Sequence, residues 1–418
     1  MFIMKEFEKN SIIIFFFTIT VNIINYLFQI IMGRMLDVSQ FGLINTLFSF
    51  YALLTMPSLA IIMIVSKYVT EYNTLNKNVN ALLNKIIIYV LLFALSYTII
   101  CISLSRLFSL FLNINNVWFV NIIILITGLS FILPVINGGL QGTKLFIALG
   151  IVNLIFWLTR LFGSIIFVII GLGINGVLIS LLLGNIIAII VGFIFLKYKI
   201  ELVRENIIYD INIIKFIWIT FLMNIGINIL TNIDVILIKH YFSEEETGIY
   251  SVSSLLGKII FFISSSIVLV MFPYATEAAV KKINTNRILL KTVLYGGSLT
   301  ILCGVILNIF SKYIIRIFFG IKYIESAVFI LPISVWTISV SFIIILSNYV
   351  IAINKAKLLS YTLIIGCIIS FIFIYFIHDT ILNIIYIFAS ITFIVLIINS
   401  ISIIINIINK EVLYEYRK

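Results

Sequence analysis

Apolar stretches of twenty residues or more recur from residue 11 almost to the C-terminus, parted only by short charged or Asn- and Gly-rich breaks. A helix needs about 20 apolar residues to cross the hydrocarbon core of a bilayer. Hydrophobic residues make up 63% of the 418 and charged residues 10%, too few to cover the outside of a soluble domain of this length. The chain therefore reads as an all-α polytopic membrane protein. The run 11–32 is too long for a signal-peptide core and lacks a small-x-small cleavage site, so it is expected to be the first membrane helix.

About twelve spans are expected, near 11–33, 42–66, 84–105, 116–140, 146–170 and 174–196, then 211–238, 249–273, 289–310, 326–352, 358–378 and 382–408. Nineteen Lys and Arg fall on the side of the termini and six on the other: Arg34, Arg106, Lys239, Lys312, Arg316 and Lys322. Positive loops stay in the cytoplasm, so both termini are expected there, in a multi-pass protein of the cytoplasmic (inner) membrane. The net charge of +11 then follows from topology and calls for no nucleic-acid partner. Cys101, Cys303 and Cys367 each lie within a span and show neither disulfide nor metal spacing. His240 and His378 sit near span ends and read as interfacial side chains.

Shifted by 206 residues, the chain matches itself. Gly42 meets Gly248, Tyr68-x-Thr70-Glu71 meets Tyr274-x-Thr276-Glu277, and Thr18, Asn22 and Asn25 meet Asn224, Asn228 and Thr231. Six spans return the chain to its starting side, so the expected architecture is two six-helix lobes, 1–205 and 206–418, related by a pseudo-two-fold along the membrane normal, with a polar joint at 197–210. Gly42 and Gly248 are expected to permit tight turns into their helices, and Glu71 and Glu277 to pair with Lys67 and Lys281.

Several side chains are out of place in lipid. Thr18, Asn22, Asn25, Gln29 and Gly33 fall on one stripe about 80° wide, and Asn224, Asn228 and Thr231 repeat it before Asp234. Such stripes either bond neighbouring helices or line a wet cavity. Arg160, with Asn153 and Ser164 on its face, lies roughly 21 Å into its helix. Lys258, aligned with Ser251, Ser254 and Ser265, lies roughly 14 Å from the far side. A charge at the bilayer centre costs at least about 2.5–3.5 kcal/mol, so each needs water, a counter-ion or a ligand. Asp234 is the one acid well inside a span. Either it pairs with Lys258 or Arg160, or the two cations serve an anionic ligand such as phosphate, for which Arg offers a fork and Lys a point charge.

Gly33-Arg34-Met-Leu-Asp-Val-Ser-Gln-Phe-Gly42 resembles the stretch between the first two helices of Wzx-type O-antigen and polysaccharide flippases, members of the multidrug/oligosaccharidyl-lipid/polysaccharide exporter (MOP, MATE-like) superfamily. The stretch from Tyr241 through Gly248 to Ser251 is similar to its counterpart after helix 7. Gly139-Leu-Gln141-Gly142 and Phe272-Pro273 resemble the ends of helices 4 and 8. The resemblance implies two lobes around a V-shaped cavity and transfer of undecaprenyl-pyrophosphate-linked oligosaccharide (O-antigen or capsule repeat unit) by alternating access. It implies a substrate-binding set of Arg34, Arg160 and Lys258 with Asn22, Asn25 and Asn228, and ion coupling at Asp234. The expected partners are the lipid-linked oligosaccharide and membrane lipid, with a polysaccharide polymerase as a candidate and the chain itself monomeric. No cofactor or metal is expected beyond Na+ or H+ as coupling ion.

No G-x-x-x-x-G-K-[ST] occurs, so ATP hydrolysis is not expected of this chain. A drug/cation antiporter on the same fold would want carboxylates where this chain has a cationic surplus. A membrane oligosaccharide polymerase would want larger loops and paired carboxylates, so the chain is not expected to be an enzyme.

Overall fold

The computed structural model describes residues 2–197, 211–280, 285–353 and 355–415. Among them the chain forms sixteen α-helices, one 3-10 turn and no strand. The helices are α1 (Phe2–Met35), α2 (Val38–Leu54), α3 (Pro57–Thr74), α4 (Val79–Ser103), α5 (Ser105–Phe111), α6 (Val117–Ser130), α7 (Ile132–Gly142), α8 (Phe146–Ile169) and α9 (Gly173–Phe195). They continue with α10 (Ile211–Tyr241), α11 (Glu244–Val280), α12 (Asn286–Ile309), α13 (Ser311–Phe318), the 3-10 turn (Ile321–Ser326), α14 (Ala327–Ala352), α15 (Lys357–Phe376) and α16 (Ile381–Glu415).

Ten helical stretches among the described residues are long and apolar enough to cross a membrane, and α2 with α3 makes an eleventh, bent by 44°. The sequence anticipated one span near 42–66. Pro57 explains the bend: it has no N–H to give and its ring crowds the preceding turn. The Thr55 hydroxyl meanwhile bonds the Tyr51 carbonyl at 2.9 Å, closing α2 early. The expected span 249–273 lies in α11, whose side chains are only partly described.

The chain divides into two compact units, Met1–Ile217 and Trp218–Lys418. The sequence boundary at 205/206 and most of the joint at 197–210 lie outside the described residues. In the first unit α8 packs on α1 and α9, and α3 packs on α7. Glycine lets these helices approach: a Cβ on Gly150 would strike the Phe17 ring, and one on Gly142 would come within 2.7 Å of the Ser66 carbonyl oxygen and 2.8 Å of Val69. The Thr70 hydroxyl bonds the Gly142 carbonyl at 3.2 Å, so the Tyr68-x-Thr70-Glu71 and Gly139-x-x-Gly142 motifs meet as one helix–helix contact. In the second unit α11 packs on α14 and α12, and α14 on α16. There α10 meets α15, where the Ser360 hydroxyl bonds the Ile219 carbonyl and Gly226 lies against Leu363.

The outward faces are apolar. Ile99 on α4, Ile309 on α12 and Phe376 on α15 are 66%, 66% and 73% exposed, the reverse of a soluble protein. Inside, hydroxyls return their protons to their own helix: Thr127 to Ile123, Ser180 to Gly176, Ser341 to Thr337 and Thr392 to Phe388, all one turn back. That bond keeps a polar group satisfied without water.

Two sequence expectations fail here. Gly42 and Gly248 sit in helices with no positive φ, and the turn into α11 is made instead by Ser243 and Glu246. The Glu246 carboxylate accepts from the Ser243 backbone N–H at 3.0 Å and its hydroxyl at 2.7 Å, a capping box. Glu71 is exposed and makes no ion pair among the described residues, while Lys67 rests over the Tyr68 ring at 5.2 Å. An exposed carboxylate gains little from pairing with a half-buried lysine near the surface, which explains the difference. The corresponding Glu277 and Lys281 side chains lie outside the described residues.

Candidate functional site

In the first unit, Arg160 stands on α8 at 6% exposure. Its guanidinium carbon lies 4.0 Å from the centre of the Phe48 ring on α2, 4.3 Å from Phe28 on α1 and 4.9 Å from Trp157, one turn back on its own helix. Its Nε is buried without a hydrogen-bond partner, and no ion pair forms at Arg160 among the described residues. Tyr51 of α2 is its electrostatic neighbour, with Ser130 and Asn185 beside the phenol. Three rings thus stabilise the cation through their π faces, by about 0.5–2 kcal/mol per desolvated contact. They surround the group and give it no acceptor. What remain to be satisfied are the guanidinium's N–H donors, Nε among them, from which a phosphate or carboxylate can accept as a fork.

The predicted companions of Arg160 are dispersed. Asn153 accepts from Asn137 of α7 at 3.3 Å and donates to the Leu149 carbonyl at 3.0 Å. Ser164, one turn further along α8, is fully buried and its hydroxyl is unpartnered. On the α1 stripe, the Thr18 hydroxyl turns back to the Ile14 carbonyl, Asn22 and Asn25 are half-buried, and Gln29 is buried with Oε1 unpartnered. Arg34 is exposed in the last turn of α1, where a cation complements the helix dipole.

In the second unit, Asp234 of α10 is 1% exposed. Its Oδ2 accepts from the Tyr250 hydroxyl at 2.9 Å and the Ser254 hydroxyl at 2.5 Å, both on α11. Its Oδ1 is buried without a partner. Lys239–Glu244 at 3.5 Å is the single ion pair among the described residues, so the alternative pairing of Asp234 with Lys258, both in the second unit, is not formed there. Lys258 is half-buried on α11, one turn after Ser254 and so on the same face. The amide stripe of α10 is self-satisfied on the donor side: Asn224 to Thr220, Asn228 to Asn224 and Asn232 to Asn228, at 2.8, 3.0 and 3.1 Å. Their carbonyl oxygens remain available.

Sequence reasoning missed Phe28, Phe48, Trp157 and Tyr250. A signal existed in the 206-residue register, which pairs Phe28 with Asp234 and Phe48 with Ser254. The two members of each pair differ in type, so a search for identities passed over them. A groove of ≈ 480 Å³ also opens on the second unit beside Val335, Ile377, Asn383, Tyr386, Ser390 and Phe393, and it contains none of the predicted residues.

The two all-helical units have the fold of several solved membrane transporters and flippases. A solved inward-facing multidrug resistance MATE family transporter of that superfamily is similar with a TM-score of 0.73 at 11% identity, covering 91% of this chain and 92% of its own. A lipid II flippase, MurJ, in an inward closed conformation is similar with a TM-score of 0.72 at 16% identity, covering 94% and 87%. A MATE structure in the straight conformation gives a TM-score of 0.63 at 14% identity, covering 94% of each chain. Residues 7–279 match the family described as polysaccharide biosynthesis protein, and the chain belongs to that family. No curated protein matches it.

Proposed function

We propose that the chain is a flippase that carries undecaprenyl-pyrophosphate-linked oligosaccharide across the cytoplasmic membrane by alternating access. Its family supports a place in polysaccharide export, and the fold it shares with a lipid II flippase accommodates such a cargo. The observation that carries the reading is Arg160: a buried guanidinium flanked by rings, with Nε unpartnered and no acid beside it among the described residues. A buried cation without a counter-ion is costly, and a visiting pyrophosphate removes that cost when bound. Lys258 and Arg34 supply further positive charge along the route, and the amides of Asn22, Asn25 and Asn228 offer acceptors to sugar hydroxyls.

Asp234 couples transfer to an ion gradient in this reading. Its unpartnered Oδ1 can take a proton, or it can join the Asn228 and Thr231 oxygens nearby in sequence as a ligand for Na+. The protein works as a monomer with both termini in the cytoplasm, and a polysaccharide polymerase consumes its product on the far side. The second reading is a drug/cation antiporter, which the buried Asp234 favours.

Deleting the gene tests the proposal. Lipid-linked repeat units should accumulate on the cytoplasmic side, and Arg160→Ala and Lys258→Ala should fail to relieve this while still reaching the membrane. Full relief by both variants would remove the anion site. Uptake of organic cations dependent on Asp234 would favour the antiporter.

A further inference from the structure

The short helices α5 and α13 begin at Ser105 and Ser311, again 206 residues apart. Each follows the end of a spanning helix and precedes the next span, so connectivity places each at the membrane–water boundary. Their exposure patterns agree position by position. Residues 106–111 and 312–317 both run exposed, exposed, half-buried, buried, exposed, exposed. Neither helix is long enough to span, and each keeps one face down and one face out.

In the second unit this segment is pinned from beneath. Ile315 and Tyr323 are fully buried and Phe319 nearly so. Gly320, at φ 98°, redirects the chain between them. The Ser253 hydroxyl of α11 bonds the Ser326 carbonyl at 2.6 Å, closing the far end. Pinned at 315, 319 and 323, the segment presents Lys312, Tyr313, Arg316, Ile317, Ile321 and Lys322 outward. Tyr313, Ile317 and Ile321 are 69%, 62% and 70% exposed, and Lys312 and Arg316 lie one turn apart on one side of α13.

The charge count makes this segment unusual. Span counting puts six Lys and Arg on the side opposite the termini; three of them fall within 312–322 and a fourth, Arg106, is in α5. Basic residues are normally sparse on that side. Cations gathered among large apolar side chains at the boundary match one surface always present there, an anionic lipid leaflet.

We propose that α13 and the 3-10 turn after it form a docking surface for anionic phospholipid. Tyr313, Ile317 and Ile321 enter the acyl boundary, while Lys312, Arg316 and Lys322 hold headgroup phosphates. The burial of Ile315, Phe319 and Tyr323 passes that grip to the ends of α12 and α14, fixing the level of the second unit in the bilayer. The surface uses none of the residues assigned to transport and stands apart from that reading.

The full chain, purified in mild detergent, is titrated with phosphatidylglycerol or phosphatidylcholine, and bound lipid is counted by native mass spectrometry. The wild type should prefer phosphatidylglycerol, and millimolar inorganic phosphate should not displace it, because the acyl contacts are part of the site. At low ionic strength the triple variant Lys312→Gln, Arg316→Gln, Lys322→Gln should bind phosphatidylglycerol on the order of 100-fold more weakly, about fivefold per cation. The charge-keeping variant Lys312→Arg, Arg316→Lys, Lys322→Arg should bind like wild type, which separates lost charge from lost folding. Equal binding by wild type and the triple variant, no preference between the two lipids, or displacement by free phosphate would each overturn the proposal. Retention of a co-purified protein in place of lipid would do the same.

Discussion

Phe28 and Asp234 hold the same place in the two repeats, yet Phe28 lies 4.3 Å from a guanidinium and Asp234 accepts two hydroxyl hydrogen bonds. The next turn of the comparison agrees: Phe48, 4.0 Å from the same guanidinium, corresponds to Ser254, which donates to Asp234. Equivalent positions on the first two helices thus surround a buried cation in one unit and make up a buried acid in the other. In the proposed cycle, one half meets an anionic cargo and the other a coupling cation.

Asp234→Asn should leave the fold intact, since an amide oxygen still accepts from Tyr250 and Ser254. Asp234→Ala should cost about 1–3 kcal/mol, because both buried hydroxyls lose their acceptor. Thermal unfolding in detergent should rank wild type near Asn and above Ala. Transport should lose its dependence on Na+ or pH in both variants. Dependence that survives in the Asn variant would exclude Asp234 from coupling.

Arg160→Lys keeps the charge but loses the planar group that the Phe28 and Phe48 rings contact and that binds phosphate as a fork. It should therefore complement a deletion strain almost as poorly as Arg160→Ala. Phe48→Leu should lower stability by about 0.5–2 kcal/mol through the lost cation–π contact. A complementation assay with membrane-level quantification checks both, and a fully active Lys variant would show that only charge matters.

Gly142→Val should prevent α3 and α7 from packing, because a Cβ already meets the Ser66 carbonyl oxygen and Val69 at 2.7 and 2.8 Å. Overpacking of this kind costs about 1–3 kcal/mol. Loss of folded protein in a detergent size-exclusion profile is the expected outcome. The Val69→Ala second-site change should recover part of it.

Ser243→Ala removes the side chain that bonds Glu246 at the start of α11, and should cost about 1 kcal/mol. Ser243→Asp should be tolerated better, as another N-cap residue, although it places a second carboxylate beside Glu246. Calorimetry of the two variants side by side tests the cap.

Much of this molecule could be read in one dimension. The spans followed from apolar run length. The break at Thr55 and Met56 was also legible in principle, since Pro57 stands in the middle of an expected helix. The role of the Gly139-x-x-Gly142 motif was not, because it depends on which helix lies opposite. Pairing of Glu71 with Lys67 looked natural along one helix, but exposed charges gain little from meeting, and Lys67 found a ring.

Sequence alone determined that this chain lives in a bilayer, as paired sets of helices with charges buried at Arg160 and Asp234. Hydrophobic run length and the cost of placing charge in hydrocarbon are local properties, counted residue by residue. Tertiary structure decided what surrounds those charges: among the described residues, three aromatic rings and no acid for one, two hydroxyls and no base for the other. Phe28 and Phe48 lie more than a hundred residues before Arg160, and Tyr250 and Ser254 reach Asp234 from the following helix, so only packing brings them within contact range.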